Sequence, residues 1–405
     1  MSRSIDSMRQ NLRLKNIFIL SYHMCIPIAL FHLKRSTRTD RETEALLLQL
    51  AIIPPLMSFH LPDIHHDWPF PRGNNPNYDE VAEESMKWLE SFRIFSEDRQ
   101  KSFRAIMPGL LASMAYPDHS RPHFRSACDL MAVLFAVDEI SDRLAPEEAR
   151  DIAESALNAL RVPESERVRN EHPLVDLHRS FWARTLQTAS ETVKRRFIAS
   201  YEDYVRAMIQ EADDRQQKRV RKSMADYLAL RRYTGAIKPS FDLLLLPSEI
   251  SDEVLDMPVV KELEMIAIEM VAVANDIVSF NVEQARGDIH NLIIVIMDGD
   301  EKIDVQMAMD MVGEWYRKRG RDFVECLNQL PVLLEGEGDS EIHRLHEYAR
   351  GLGNWVTANY EWSFECRRFF GEHTMEVKEN VSKVGVFSMI GGLVKYKATS
   401  LVPST

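Results

Sequence analysis

From Tyr78 onward, apolar residues recur at spacings of three and four, with almost no alternating β-branched runs, so the chain reads as helical throughout. The clearest helical stretches run over Glu80–Phe95, Pro122–Asp142, Glu147–Leu160, Val193–Gln216, Val260–Gln284 and Ile303–Leu330. Turn residues punctuate them at Pro117-Asp118, Pro163-Glu164, Pro173, Pro247-Ser248, Gly287-Asp288 and Gly336-Glu337-Gly338. The pattern contains no internal repeat, low-complexity tract or long linker, so one all-α domain is expected. Glu262 to Gln284 is apolar on most sides, which places it at the centre of a helical bundle.

The polar exceptions on that stretch carry chemistry. Asn275, Ser279 and Glu283 are spaced by four and fall on one helix face, so an amide oxygen, a hydroxyl and a carboxylate form a stripe. A second apolar run, Leu130 to Asp142, ends in three acids, of which Asp138 and Asp142 share a face while Glu139 points elsewhere. Acids at a helix C-terminus face the negative end of its dipole, at a cost of roughly 0.3–1 kcal/mol each, so an outside cation is expected to balance them. Oxygen donors beside an anionic ligand suit Mg²⁺, whereas zinc would call for His or Cys. Two walls of a cavity follow, with Phe135, Trp355, Trp362 and Phe364 as candidate aromatic lining. Asp288 and His290, just past the stripe, read as caps of the next helix.

Composition narrows the class. With 405 residues and 45% hydrophobic content, core material is ample, and a net charge of −12 argues against nucleic acid as a partner. Cys25, Cys128, Cys326 and Cys366 are scattered without metal-ligand or disulfide spacing, which points to free thiols in the cytoplasm. Residues 1–56 differ from the rest, with eight Lys/Arg against four Asp/Glu. Ile17–Phe31 is apolar between basic flanks but is shorter than a spanning helix and contains His23 and Pro27. The expected division is an atypical N-terminal extension, 1–56, and a working domain, 57–405, with membrane association through the extension as the alternative.

The ordered pair Asp138-Glu139-Ile140-Ser141-Asp142, of form D(D/E)xxD, and Asn275 through Glu283, of form NDxxSxxxE, resembles the class I terpene cyclases. Phe59-His60-Leu61-Pro62-Asp63, Trp68-Pro69-Phe70-Pro71-Arg72, Asn75-Pro76 and Leu111 to Pro117 are similar to basidiomycete-type fungal sesquiterpene synthases, and the likeness runs from about Met57 to Gly371. The resemblance implies a single-domain class I terpene synthase helical bundle around a central apolar cavity. It also implies ionisation and cyclisation of farnesyl diphosphate with three Mg²⁺ ions, through a humulyl-type cation as in protoilludene synthases. Asp138, Asp142, Asn275, Ser279 and Glu283 are the implied metal ligands. Arg232, in Leu230 to Phe241, and Arg368 are the implied catalytic, diphosphate-binding arginines; Phe369 stands where the family's diphosphate-binding tyrosine is expected and lacks its hydroxyl. Two other readings are a prenyl-chain elongating synthase, which would consume isopentenyl diphosphate, and a non-catalytic helical interaction protein derived from a cyclase. Metal-dependent stabilisation by a diphosphate analogue separates the last from an enzyme.

Overall fold

The chain divides into Met1–Leu56 and Met57–Thr405. The computed structural model describes residues 58–141, 146–164, 171–217, 219, 221, 223–333, 339–371, 374–381, 386–390 and 393–397. In chain order these form α1 (Tyr78–Ser91), α2 (Glu97–Arg104), α3 (Pro108–Ala115), α4 (Arg121–Ser141), α5 (Pro146–Arg161), α6 (Pro173–Thr185), α7 (Glu191–Gln216) and α8 (Met224–Thr234). The second half holds α9 (Ile237–Asp242), α10 (Asp252–Leu255), α11 (Pro258–Arg286), α12 (Leu292–Gly299), α13 (Val305–Leu333), α14 (Asp339–Ser363) and α15 (Thr374–Val381). A small antiparallel sheet of β1 (Ser58–Phe59), β2 (Val386–Ile390) and β3 (Leu393–Lys397), in that order, is the strand content of the described residues. The fold is therefore all-α in its body, as the periodicity predicts.

Helix α11 is the axis. It opens with Pro258 in its first turn, where a missing N–H costs nothing, and stops at Gly287, whose φ of +78° suits a residue without a side chain. Its 29 residues are apolar enough to cross a membrane by composition, yet 83% of the most apolar window is buried inside the protein, against α13 and α14 above all. Elsewhere side-chain oxygens cap the starts: Ser190 accepts from Val193 N–H and Ser223 from Asp226 N–H, each satisfying a donor the helix leaves unpaired.

Residues 58–77 run as a strap over the bundle. The Trp68 indole N–H donates to the Gly353 carbonyl at 3.3 Å, and the Thr357 hydroxyl donates to the Phe70 carbonyl at 2.8 Å. Asn75, 2% exposed, donates from its amide to the carbonyls of Tyr116 and His119. Gly353 is required there, because a Cβ would lie 2.5 Å from the Phe70 ring. On α9, Lys238 pairs with Asp242 at 2.6 Å and with Glu264 of α11 at 3.2 Å, and Glu264 also accepts from the Tyr348 hydroxyl, so these buried charges are paired.

Candidate active site

A cavity of about 260 Å³ opens between α4, α7, α8, α11 and α14. Its inner part is apolar, walled by Met131, Leu134, Phe135, Val271, Trp355 and Trp362. Its mouth is charged on all sides, with Asp138, Glu211, Glu283 and Asp288 set against Arg215, Arg231, Arg286 and Arg368. Phe135, Trp355 and Trp362 thus line the cavity as expected, with the Phe135 and Trp362 rings 5.2 Å apart. Phe364 does not: it is 1% exposed and stacks on Phe370 at 5.5 Å.

Of the site residues expected from the sequence, the fold brings Asp138, Asn275, Glu283 and Arg368 to this one mouth. Asp138 lies in the last turn of α4 and is held by the Arg368 guanidinium. The Asn275 amide oxygen accepts from Arg231 at 2.9 Å. Ser279 lies on the same stripe but is 2% exposed, and its hydroxyl is buried without a hydrogen-bond partner of good geometry, close enough to Glu283 to act on its acidity. Asp142 lies outside the described residues.

Arg232 and Phe369 stand outside this mouth. Arg232 is turned away from the cavity and pairs with the buried Glu269, which Arg319 also holds at 2.8 Å. Its neighbour Arg231 takes the cavity position instead, because adjacent residues on α8 point about 100° apart and only one can face inward. Phe369 does not line the mouth; it is 4% exposed and packs edge-on to Trp362 at 5.8 Å. Its ring lies 5.9 Å from the Arg368 guanidinium, with Phe135 on another side at 5.5 Å, so it supports the arginine as an aromatic face.

Sequence reasoning missed the residues that hold the site in shape. Asp276, on the inner side of α11, accepts from Arg231 Nε at 3.0 Å and from the Tyr227 hydroxyl at 2.7 Å. Asn291, and neither Asp288 nor His290, caps α12: its side-chain oxygen accepts from Ile293 N–H at 2.9 Å. The same side chain donates to the Asp276 carbonyl at 2.7 Å and to the Glu283 carboxylate at 2.9 Å, tying the last turn of the stripe to the next helix. Asp288 instead accepts from the backbone of His290. The signal for Asn291 was its place immediately before the apolar run Leu292 to Met297.

Burial and the nearby Asp276 push the Glu283 carboxyl up to about 7, against the pull of Asn291, Ser279 and Arg231. Burial likewise raises Glu211, on α7, to about 7, opposed by Arg215 and Arg231. Burial disfavours the charge on Arg231, but Asp276, Glu211 and Glu283 around it hold the guanidinium protonated. The mouth is a place where charges are enclosed and compensated within a small volume.

The helical body superposes on crystal structures of a-eudesmol synthase (TM-score 0.67, 19% identity, 74% of this chain and 99% of that one) and of germacradien-4-ol synthase from Streptomyces citricolor (TM-score 0.63, 23% identity, 73% and 98%), a likeness of fold. A family model described as "Terpene synthase family 2, C-terminal metal binding" matches residues 129–322, a range that includes Asp138, Asn275 and Glu283. Over 321 residues the chain is 41% identical to a Delta(6)-protoilludene synthase of Stereum hirsutum (strain FP-91666), covering 79% of this chain and 86% of the relative. The chain belongs to the fungal sesquiterpene synthase family of terpene cyclases. This synthase is also 38% identical to Sesquiterpene synthase 9 of Postia placenta (strain ATCC 44394 / Madison 698-R), with 79% and 92% covered, and 39% identical to a Delta(6)-protoilludene synthase of Armillaria gallica, with 78% and 90% covered.

The family description implies divalent-metal use, and the synthase's own residues fit such an ion. Every candidate donor is an oxygen, as a hard cation requires. The buried Ser279 hydroxyl lacks a geometric partner and stands between two further donors on one helix face. Among the described residues no three His, Cys, Asp or Glu converge, so phosphate oxygens or water would have to complete any coordination shell.

Proposed function

We propose that this synthase converts farnesyl diphosphate into a cyclic sesquiterpene hydrocarbon, with Mg²⁺, by ionisation, closure through a humulyl-type cation and release of diphosphate. The observation that carries the reading is the division of one cavity into a charged mouth and an apolar interior, the two environments that a prenyl diphosphate presents. The humulyl route and the fifteen-carbon substrate are supported by the relatives named as protoilludene synthases.

Asp138 and the stripe Asn275, Ser279 and Glu283 would hold Mg²⁺, three ions on this reading, with Asp142 as a further ligand on the same acidic motif. When bound, the metal supplies Lewis-acid stabilisation of the charge that grows on the departing oxygens. Arg231 and Arg368 donate to those same oxygens as planar, permanently charged forks. Asp276 and the Tyr227 hydroxyl fix Arg231, and Asn291 fixes the Glu283 carboxylate, so the donors are preorganised. Phe135, Trp355 and Trp362 exclude water from the cation, and each aromatic face that it meets stabilises it by about 0.5–2 kcal/mol.

Purified protein incubated separately with ten-, fifteen- and twenty-carbon prenyl diphosphates and Mg²⁺ should release a volatile cyclic hydrocarbon from the fifteen-carbon substrate and none in excess EDTA. No hydrocarbon from any of the three, or undiminished product in EDTA, would overturn the reading. A cytoplasmic location belongs to the same proposal, supported by the free thiols Cys128, Cys326 and Cys366, and fractionation of the producing cells tests it.

A further inference from the structure

The apolar interior of the cavity contains a primary amide. Asn359 on α14 is 5% exposed and lines the chamber on the same helix face as Trp355, one turn before it, and Trp362, one turn after. Its side-chain nitrogen donates to the Val271 carbonyl at 3.2 Å, on α11, one turn before Asn275. A carbonyl offers only lone pairs, so the NH₂ group must be the end that faces it. The amide oxygen is thereby directed away from Val271, on a side chain that lines the cavity, where a ligand can meet it.

We infer that Asn359 is a specificity-determining residue: its amide oxygen is a fixed negative dipole end inside the chamber, and it sets where positive charge is held while the substrate cyclises. This rests on the cyclase reading of the same cavity. In a water-excluded space a fixed dipole acts far more strongly than in solution, so cations of similar intrinsic energy are separated by their distance from this oxygen. The Val271 carbonyl locks the dipole's direction, and the locking helix is the one that carries Asn275, so the oxygen keeps a constant offset from the diphosphate end. The neighbouring walls formed by Leu134, Phe135 and Trp362 supply shape and π-faces.

The test compares product profiles of the wild-type chain, Asn359→Leu and Asn359→Ala with farnesyl diphosphate and Mg²⁺, with diphosphate release measured alongside and helicity checked by circular dichroism. Leu keeps the amide's volume and removes its dipole, so the ratio of the main hydrocarbon to the next should change by about tenfold, the factor that corresponds to about 1.4 kcal/mol of differential stabilisation. A wild-type ratio from the Leu variant overturns the inference, and a change confined to Ala would assign the effect to space alone and overturn it too. Should the Leu variant not fold, Asn359→Gln, which keeps the amide but moves its oxygen by one methylene, carries the same expectation, and an unaltered ratio from it is equally decisive. A wild-type chain that makes no hydrocarbon would instead sink the cyclase reading, whereas an active wild type with an unaltered Leu variant sinks this inference alone.

Discussion

Arg231 touches both kinds of residue that the site needs, reaching Asn275 with one nitrogen and the structural carboxylate of Asp276 with another. A lysine there would present a point charge with no fork, so Arg231→Lys should lower turnover by about 100-fold or more, while Arg232→Lys, beside Glu269 and off the cavity, should leave turnover near wild type and lower the melting temperature. Equal losses from both variants, measured as product formed per minute, would contradict the assignment. Asn291 acts one step further out. Asn291→Ala frees the Glu283 carboxylate and uncaps α12, and loss of such a supporting hydrogen bond should raise the Mg²⁺ concentration needed for half-maximal rate by about 10–100-fold. Glu283→Gln or Asn275→Ala should abolish turnover with the circular dichroism spectrum unchanged, and retained product would remove the altered residue from the metal site.

At the scale of elements, the long helices carry the geometry, and the strap that crosses α14 holds them together. Gly353→Ala pushes a methyl group into the Phe70 ring, and overpacking of this kind costs about 1–3 kcal/mol, to be read as a lower midpoint in thermal or denaturant unfolding. These elements also show what the sequence could disclose. Val260 to Gln284 reads as a helix because its apolar residues repeat without interruption, and the structure extends it only to Pro258–Arg286. Asp339–Ser363 was not legible as one element, since Gly351 and Gly353 look like breakers until Leu244 and Phe70 are seen packed against them. The oxygen-donor stripe was readable because a spacing of four lies close to the 3.6-residue helix period. The choice between Arg231 and Arg232 was not, because both sit in Leu230-Arg231-Arg232-Tyr233 and the rotation of α8 is set by the burial of Tyr227 and Leu228. Asn291 and Asn359 escaped for a related reason: their value lies in partners more than a helical turn away.

At the scale of the whole molecule, buried histidines predict how the fold responds to acid. Burial lowers His119 and His178 to about 4, and each ring bonds to a buried partner: Leu243 carbonyl for His119, Leu174 carbonyl and Tyr201 hydroxyl for His178. Since the unfolded chain binds these protons near 6.5 and the folded one only near 4, stability is fully present above pH 6.5 and falls as pH drops from there toward 4. Glu211 and Glu283, raised to about 7, act in the opposite direction over the same window, so the histidine contribution is read by difference: thermal midpoints of His178→Phe should fall less, or rise more, than those of the wild type between pH 6.5 and 4, and equal slopes would contradict it. A chain begun at Met57 should fold and retain turnover, because the strap's contacts start at Ser58 and reach α11, α13 and α14. Loss of all soluble protein on that truncation would place residues 1–56 inside the folding unit.

The ion pair between Asp138 and Arg368 has one more consequence. A divalent cation that takes Asp138 leaves the Arg368 guanidinium with Glu139 alone, at 3.9 Å, whereas a diphosphate that takes the arginine leaves two acids without their shared cation. Joint arrival compensates the charges of all three. The resting pair therefore behaves as a two-key lock. On the proposed function, melting curves should shift little with Mg²⁺ or pyrophosphate separately and clearly with the two combined, the result expected of an enzyme that commits its substrate to ionisation only when both keys are turned.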